Sequence, residues 1–315
     1  MNTISIKGMT KPVSQLIMGT DFFRLNNPDE VSDIMEKYMA IGGNTLDSAF
    51  VYCGGESEQA IGRWLKETGK RAEINILTKG AHHDATGPRV NASAIQFDLM
   101  TSLERLGVDH VEMYALHRDD PQVPVGPILE ALNEHIEAGK IGAIGASNWT
   151  HERLQMAAEY AAQHGIVGFS FSSPNLSLAK ANEPFWAGCV SADEAALRWY
   201  TTHQLPLLSW SSQARGFFSG RFSPENRDNA DLVRVFYSDA NWERLRRAEE
   251  LAKKKGATAI QIALAYVLSQ PFPTCALIGP RSEAEMRSCQ QGAQIKLSAE
   301  EMAWLDLSAM REVRQ

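Results

Sequence analysis

The chain has no Cys-x-x-Cys pair, and its four cysteines, Cys53, Cys189, Cys275 and Cys289, are scattered. That argues against a disulfide frame or a zinc knuckle and favours reduced thiols in a cytoplasmic setting. It has no basic run longer than Lys253-Lys254-Lys255, and its formal net charge is -7. An electrostatic case for nucleic acid or an anionic membrane is therefore missing. The opening Met1-Asn2-Thr3-Ile4 lacks the basic and apolar segments of a secretory signal, and no apolar run approaches membrane-spanning length. Also missing is a Gly-x-Gly-x-x-Gly after an early strand, the usual dinucleotide fingerprint of a doubly wound open sheet.

What is present is alternation. The 315 residues, 44% of them hydrophobic, suffice for a large core. A small hairpin around Ile4-Ser5-Ile6 and Gly8 runs into a first strand ending at Met18. Strands are then expected at 44–47, 74–78, 111–116, 141–146, 169–173, 205–210 and 274–278. Helix-period apolar residues lie between them, as in Val31, Ile34, Met35, Tyr38 and Met39 before Gly42-Gly43. Two closing helices are expected over 282–290 and 298–308. Eight β/α units of this kind predict an α/β protein, a (β/α)8 TIM barrel with an N-terminal β-hairpin and extra C-terminal helices, as one domain over 1–315.

In such a barrel the loops after the strands open on one face, where active sites sit. Asp47 follows one strand and Tyr52 lies in the same loop; Lys79 and His117 end the next two. Each has a bland reading when taken alone: turn former, packing phenol or core histidine. Together they bring a carboxylate, a phenol, an ammonium and an imidazole to one rim. A phenol ionises near pH 10 unperturbed, and a neighbouring ammonium would lower that value. Asp47 would hold Lys79 charged, and His117 would orient a carbonyl oxygen. The group suits proton delivery to oxygen as hydride reaches carbon.

These residues resemble the catalytic tetrad of the aldo-keto reductase superfamily. The early family pattern is matched by Asp47, Ala49, Tyr52, Gly55, Ser57 and Glu58. Thr78-Lys79, Leu116-His117-Arg118-Asp119-Asp120, Gly145-Ala146-Ser147-Asn148, and Trp210-Ser211 with Ala214-Arg215-Gly216 follow in order. The resemblance implies a nicotinamide dinucleotide, NADP (NADPH) in the first instance. Gly19, Thr20 and Asp21 would line the nicotinamide side, Ser147 and Asn148 would hold its carboxamide, and Trp210 would stack on the ring. Ser211, Gln213, Arg215 and Gly216 would follow the pyrophosphate, and Gly279 with Arg281 would receive the 2′-phosphate. Ser173 stands where the family usually has Gln, Cys289 where it usually has Asn, and Glu285 is a carboxylate near the expected phosphate. These departures keep NAD open as the alternative cofactor.

His82-His83-Asp84 invites a metal hypothesis, but adjacent histidines seldom aim at one ion, so a polar loop and no metal site are expected. Arg118-Asp119-Asp120 reads as a rim salt bridge and a turn before Pro121. Phe22, Trp149, Phe185 and Trp186 follow strands and are expected to wall or cover a substrate, the alternative being simple packing onto the rim. The reaction expected is reversible NAD(P)H-dependent reduction of a small or sugar-like aldehyde or ketone. A nucleotide-binding regulatory barrel with little turnover is the rival, and a metal-dependent hydrolase is third. The partner expected is a small carbonyl or alcohol; a homo-oligomer is left open.

Overall fold

The computed structural model describes residues 1–308. Residues 309–315 of the expected 1–315 domain lie outside the described residues. Strands β1 (Thr3–Ile4) and β2 (Val13–Ser14) pair antiparallel. Eight further strands follow: β3 (Leu16–Gly19), β4 (Thr45–Asp47), β5 (Asn75–Gly80), β6 (Val111–Leu116), β7 (Ile141–Ser147), β8 (Phe171–Ser173), β9 (Leu207–Ser209) and β10 (Thr274–Ile278). They form a closed parallel barrel in sequence order, with β10 returning to pair with β3. The protein is thus a (β/α)8 barrel with an N-terminal hairpin.

The helices are α1 (Pro28–Ala40), α2 (Glu56–Thr68), α3 (Ala92–Leu106), α4 (Val125–Glu137), α5 (His151–His164), α6 (Glu194–His203), α7 (Ala230–Phe236), α8 (Asp239–Lys255), α9 (Ala259–Leu268), α10 (Glu283–Gly292) and α11 (Ala299–Leu305). Side-chain caps start many of them: Asn91, Thr150, Asp193 and Ser282 each accept from a first-turn backbone N–H. Helix α7 falls in a stretch that the sequence pattern leaves as a long connection. None of these helices is long and apolar enough to cross a membrane.

Because strand side chains alternate, a strand such as β6 feeds two cores. Met113 and Ala115 of β6 join Ile17, Leu77, Ala143, Phe171, Leu208 and Cys275 inside the barrel, whereas Tyr114 and Leu116 pack under the helices. Ile6 and Val13 belong to the inner cluster, so the hairpin packs against the barrel interior. Gly145 is required by packing: a Cβ there would lie 2.3 Å from the Phe171 ring.

Candidate active site

Loop construction sets the position of Tyr52. Cys53, Gly54 and Gly55 take φ values of 56°, 65° and 98°, which reverses the chain immediately before α2. Glycine adopts that left-handed region without a Cβ penalty. Behind the loop, Glu58 is fully buried and accepts from Thr78 Oγ1 at 2.5 Å and Arg105 Nη1 at 3.2 Å. The same Nη1 donates to Phe50 O at 2.8 Å. Ser57 Oγ donates to Thr20 O at 2.8 Å. The motif residues Ser57, Glu58 and Thr78 therefore brace the loop, and Arg105, outside any motif, completes the brace.

On that support the four expected side chains meet. Lys79 Nζ lies 2.7 Å from Asp47 Oδ1, both side chains being 2% exposed. It also donates to Tyr52 Oη at 3.1 Å and to Ser48 O at 2.9 Å. The His117 ring stands edge-on to Tyr52, centroids 5.6 Å apart, and its buried Nδ1 has no hydrogen-bond partner among the described residues. Burial opposes the Lys79 charge, but Asp47 and Tyr52 together outweigh it and hold its pKa above the usual value.

Two electrostatic results refine the expectation. Burial pushes Tyr52 up to about 12; Lys79 pulls the other way and loses. The expected net lowering of the phenol is therefore corrected: Tyr52 is a neutral phenol at neutral pH. His117 is held well below its usual pKa by burial and by the Lys79 and Arg118 charges. It is a neutral imidazole at neutral pH. His82 packs against it, centroids 4.8 Å apart, and burial lowers its pKa too. Among the described residues no cluster of three His, Cys, Asp or Glu side chains is arranged to hold a metal ion.

The residues expected to hold a cofactor extend round the rim from β7 to β10. Asn148 has φ 60°; it donates to His117 O at 3.2 Å and accepts from Trp210 Nε1 at 3.1 Å. Ser147 Oγ donates to Ser173 O, and Ser173 Oγ to Leu208 O, so Ser173 spends its hydroxyl on the barrel. Ser211, Ala214, Arg215 and Gly216 all have positive φ. Runs of that kind turn backbone N–H groups toward a common anion. Gln213 Nε2 donates to Ile260 O, and Cys289 Sγ donates to Gln213 Oε1. The Arg281 guanidinium lies 3.5 Å from the Phe22 ring centroid, beside Gly279, and Glu285 accepts from the Arg281 backbone N–H at 2.7 Å. Glu285 thus works as part of the α10 start. Thr20 is buried with its hydroxyl on Asp47 O, so it clips β3 to β4; Gly19 and exposed Asp21 flank it.

The expected aromatic walls divide. Trp186 is 48% exposed; it packs beside Phe185, 6.1 Å from Trp210, with Arg215 over both loop rings. Phe185 is buried against Phe236. Trp149 is corrected: it is buried against Phe169 and Arg153, and its Nε1 donates to Arg118 O. It supports the rim from within and offers no wall.

Comparison with known proteins agrees with this geometry. Residues 15–309 match the Aldo/keto reductase family. The chain belongs to that family. It is similar to the aldo-keto reductase str7 of Strobilurus tenacellus, 28% identical over 89% of this chain and 81% of the relative. It is likewise similar to the aldo-keto reductase yakc [NADP(+)] of Schizosaccharomyces pombe, 27% identical over 82% and 76%. A probable voltage-gated potassium channel subunit beta from Oryza sativa subsp. japonica is 26% identical over 87% and 85%. Membership in the aldo/keto reductase family makes the protein an oxidoreductase.

Proposed function

We propose that this aldo/keto reductase reduces an aldehyde or ketone to an alcohol with NADPH or NADH, reversibly, in a cytoplasmic setting. The observation that carries the reading is the unbroken contact chain from Asp47 through Lys79 to Tyr52, with His117 beside the phenol. Tyr52 gives its proton to the substrate oxygen. Lys79 donates to the phenol oxygen and stabilises the phenolate left behind; Asp47 holds Lys79 aimed and charged. Neutral His117 orients the carbonyl oxygen without competing for the proton.

The residues fit a nicotinamide dinucleotide. Asn148 and Trp210 would hold and stack on its ring, and the left-handed residues Ser211, Ala214, Arg215 and Gly216 would shape the loop that takes its pyrophosphate. Arg281, stacked on Phe22, would take a 2′-phosphate. When bound, the cofactor supplies the hydride. NADP(+) in the name of the yeast relative supports NADPH as first choice. Tryptophan fluorescence titrated with NADPH and NADH, followed by a panel of carbonyls, tests the reading. Saturable quenching and carbonyl-dependent cofactor oxidation are expected; no turnover of any carbonyl would leave the rival regulatory barrel.

A further inference from the structure

The Leu116-His117-Arg118 segment carries one charge that the proposed chemistry does not use. Arg118 is buried, 7% exposed. Its Nη1 donates to His117 O at 2.8 Å and its Nε to Ala187 O at 3.2 Å. Among the described residues no carboxylate pairs with it, and its Nη2 has no partner. The adjacent acid is unavailable, because Asp119 is held by Arg153 through two bonds of 2.9 and 3.0 Å. The rim salt bridge expected within Arg118-Asp119-Asp120 is therefore not formed by Arg118; Asp119 pairs with Arg153 instead.

The titratable groups that exchange charge effects with Arg118 include Tyr52, Cys189, His82 and His117. All four are neutral at neutral pH. Burial raises Tyr52 and Cys189 and lowers both histidines. A buried guanidinium with only two main-chain acceptors is costly, since one partner charge is missing. It is bonded to the main chain of His117, and its charge acts on both the phenol and the imidazole expected to hold the carbonyl.

We propose that Arg118 binds a carboxylate on the substrate, so that the preferred substrate class is an oxo acid. The inference rests on the reductase reading and deepens it. One free guanidinium nitrogen suits one carboxylate oxygen; a phosphate dianion would want more donors than the site shows. The two main-chain bonds fix the guanidinium in advance, so little side-chain entropy is lost on binding.

The test compares 4-formylbenzoate with 4-formylbenzamide in the parent, Arg118→Met and Arg118→Lys. The parent is expected to favour the acid in kcat/KM by about tenfold or more, the scale of a buried charge-assisted bond. Arg118→Met should bring the ratio near unity, and Arg118→Lys should keep part of it. The ratio cancels a general loss of folded protein. A parent ratio near unity, or an unchanged ratio in Arg118→Met, overturns the assignment. If neither aldehyde is reduced with either cofactor, the reductase reading fails by itself. Tryptophan fluorescence titrations with benzoate and benzamide then decide Arg118. Benzoate-selective binding lost in Arg118→Met supports it, and equal binding overturns it. Inorganic phosphate displacing benzoate more effectively than acetate does would overturn the choice of carboxylate. Should Arg118→Met fail to fold, the parent ratio and Arg118→Lys carry the same decision.

Discussion

Trp210 Nε1 donates to Asn148 Oδ1 at 3.1 Å, joining the ends of β9 and β7 across β8. Asn148 also accepts from Val190 N at 3.2 Å and donates to His117 O at 3.2 Å. One side chain thus ties the expected nicotinamide support to the loop after β8 and to His117. Asn148→Ala should lower stability by about 2 kcal/mol or more, since buried partners lose their bonds and a left-handed alanine is strained. Asn148→Gly should lose less, because only the bonds go. Urea unfolding of both variants checks the order; equal loss would remove the strain contribution.

Glu58 and Arg105 make the second case. Arg105→Met leaves a carboxylate in the interior without its cation, and a loss of about 3 kcal/mol is expected. The double variant with Glu58→Gln should recover part of it, because the amide removes the buried charge and keeps an acceptor for Thr78. Denaturation of the three variants measures the coupling. A double variant no more stable than Arg105→Met would contradict the assignment of Glu58 as a buried charge.

The His117 shift has a pH consequence. A histidine with a depressed folded pKa contributes stability above its unfolded pKa, about 6.5, and that contribution is lost as pH falls toward the folded value. The parent should therefore lose stability between about pH 7.5 and about pH 5.5 by up to about 1 kcal/mol more than His117→Gln does. Unfolding midpoints at the two pH values test this. Parallel losses would show that His117 is not held neutral.

Tyr52 should resist ionisation. With the phenol pushed up to about 12 by burial, the parent minus Tyr52→Phe difference spectrum should show no phenolate absorbance below about pH 11. A phenolate band growing in near neutral pH would mean that Lys79 dominates after all.

Much of this is legible in the chain. Short strands alternating with capped amphipathic helices specify the barrel through local pattern, and Asp47, Tyr52, Lys79 and His117 can be placed because strand ends share one face. Other features depend on contacts distant in sequence. Helix α7 has only Leu232, Val235 and Phe236 to bury, too few to mark a period. Trp149 follows a strand as a wall residue would, yet Phe169 and Arg153 take it inward. The net direction of the Tyr52 shift is a balance between burial and Lys79, and sequence shows only the second. Arg118 reads as a member of a salt bridge because Asp119 is its neighbour; the bridge goes instead to Arg153, in the first turn of α5.

The most direct test of the proton-donor claim is Tyr52→Phe in a single-turnover reduction with NADPH already bound. The variant should keep cofactor affinity within about twofold and lose turnover by about a hundredfold or more, since only the transferable proton has gone. Turnover close to that of the parent, with the same cofactor affinity, would contradict it.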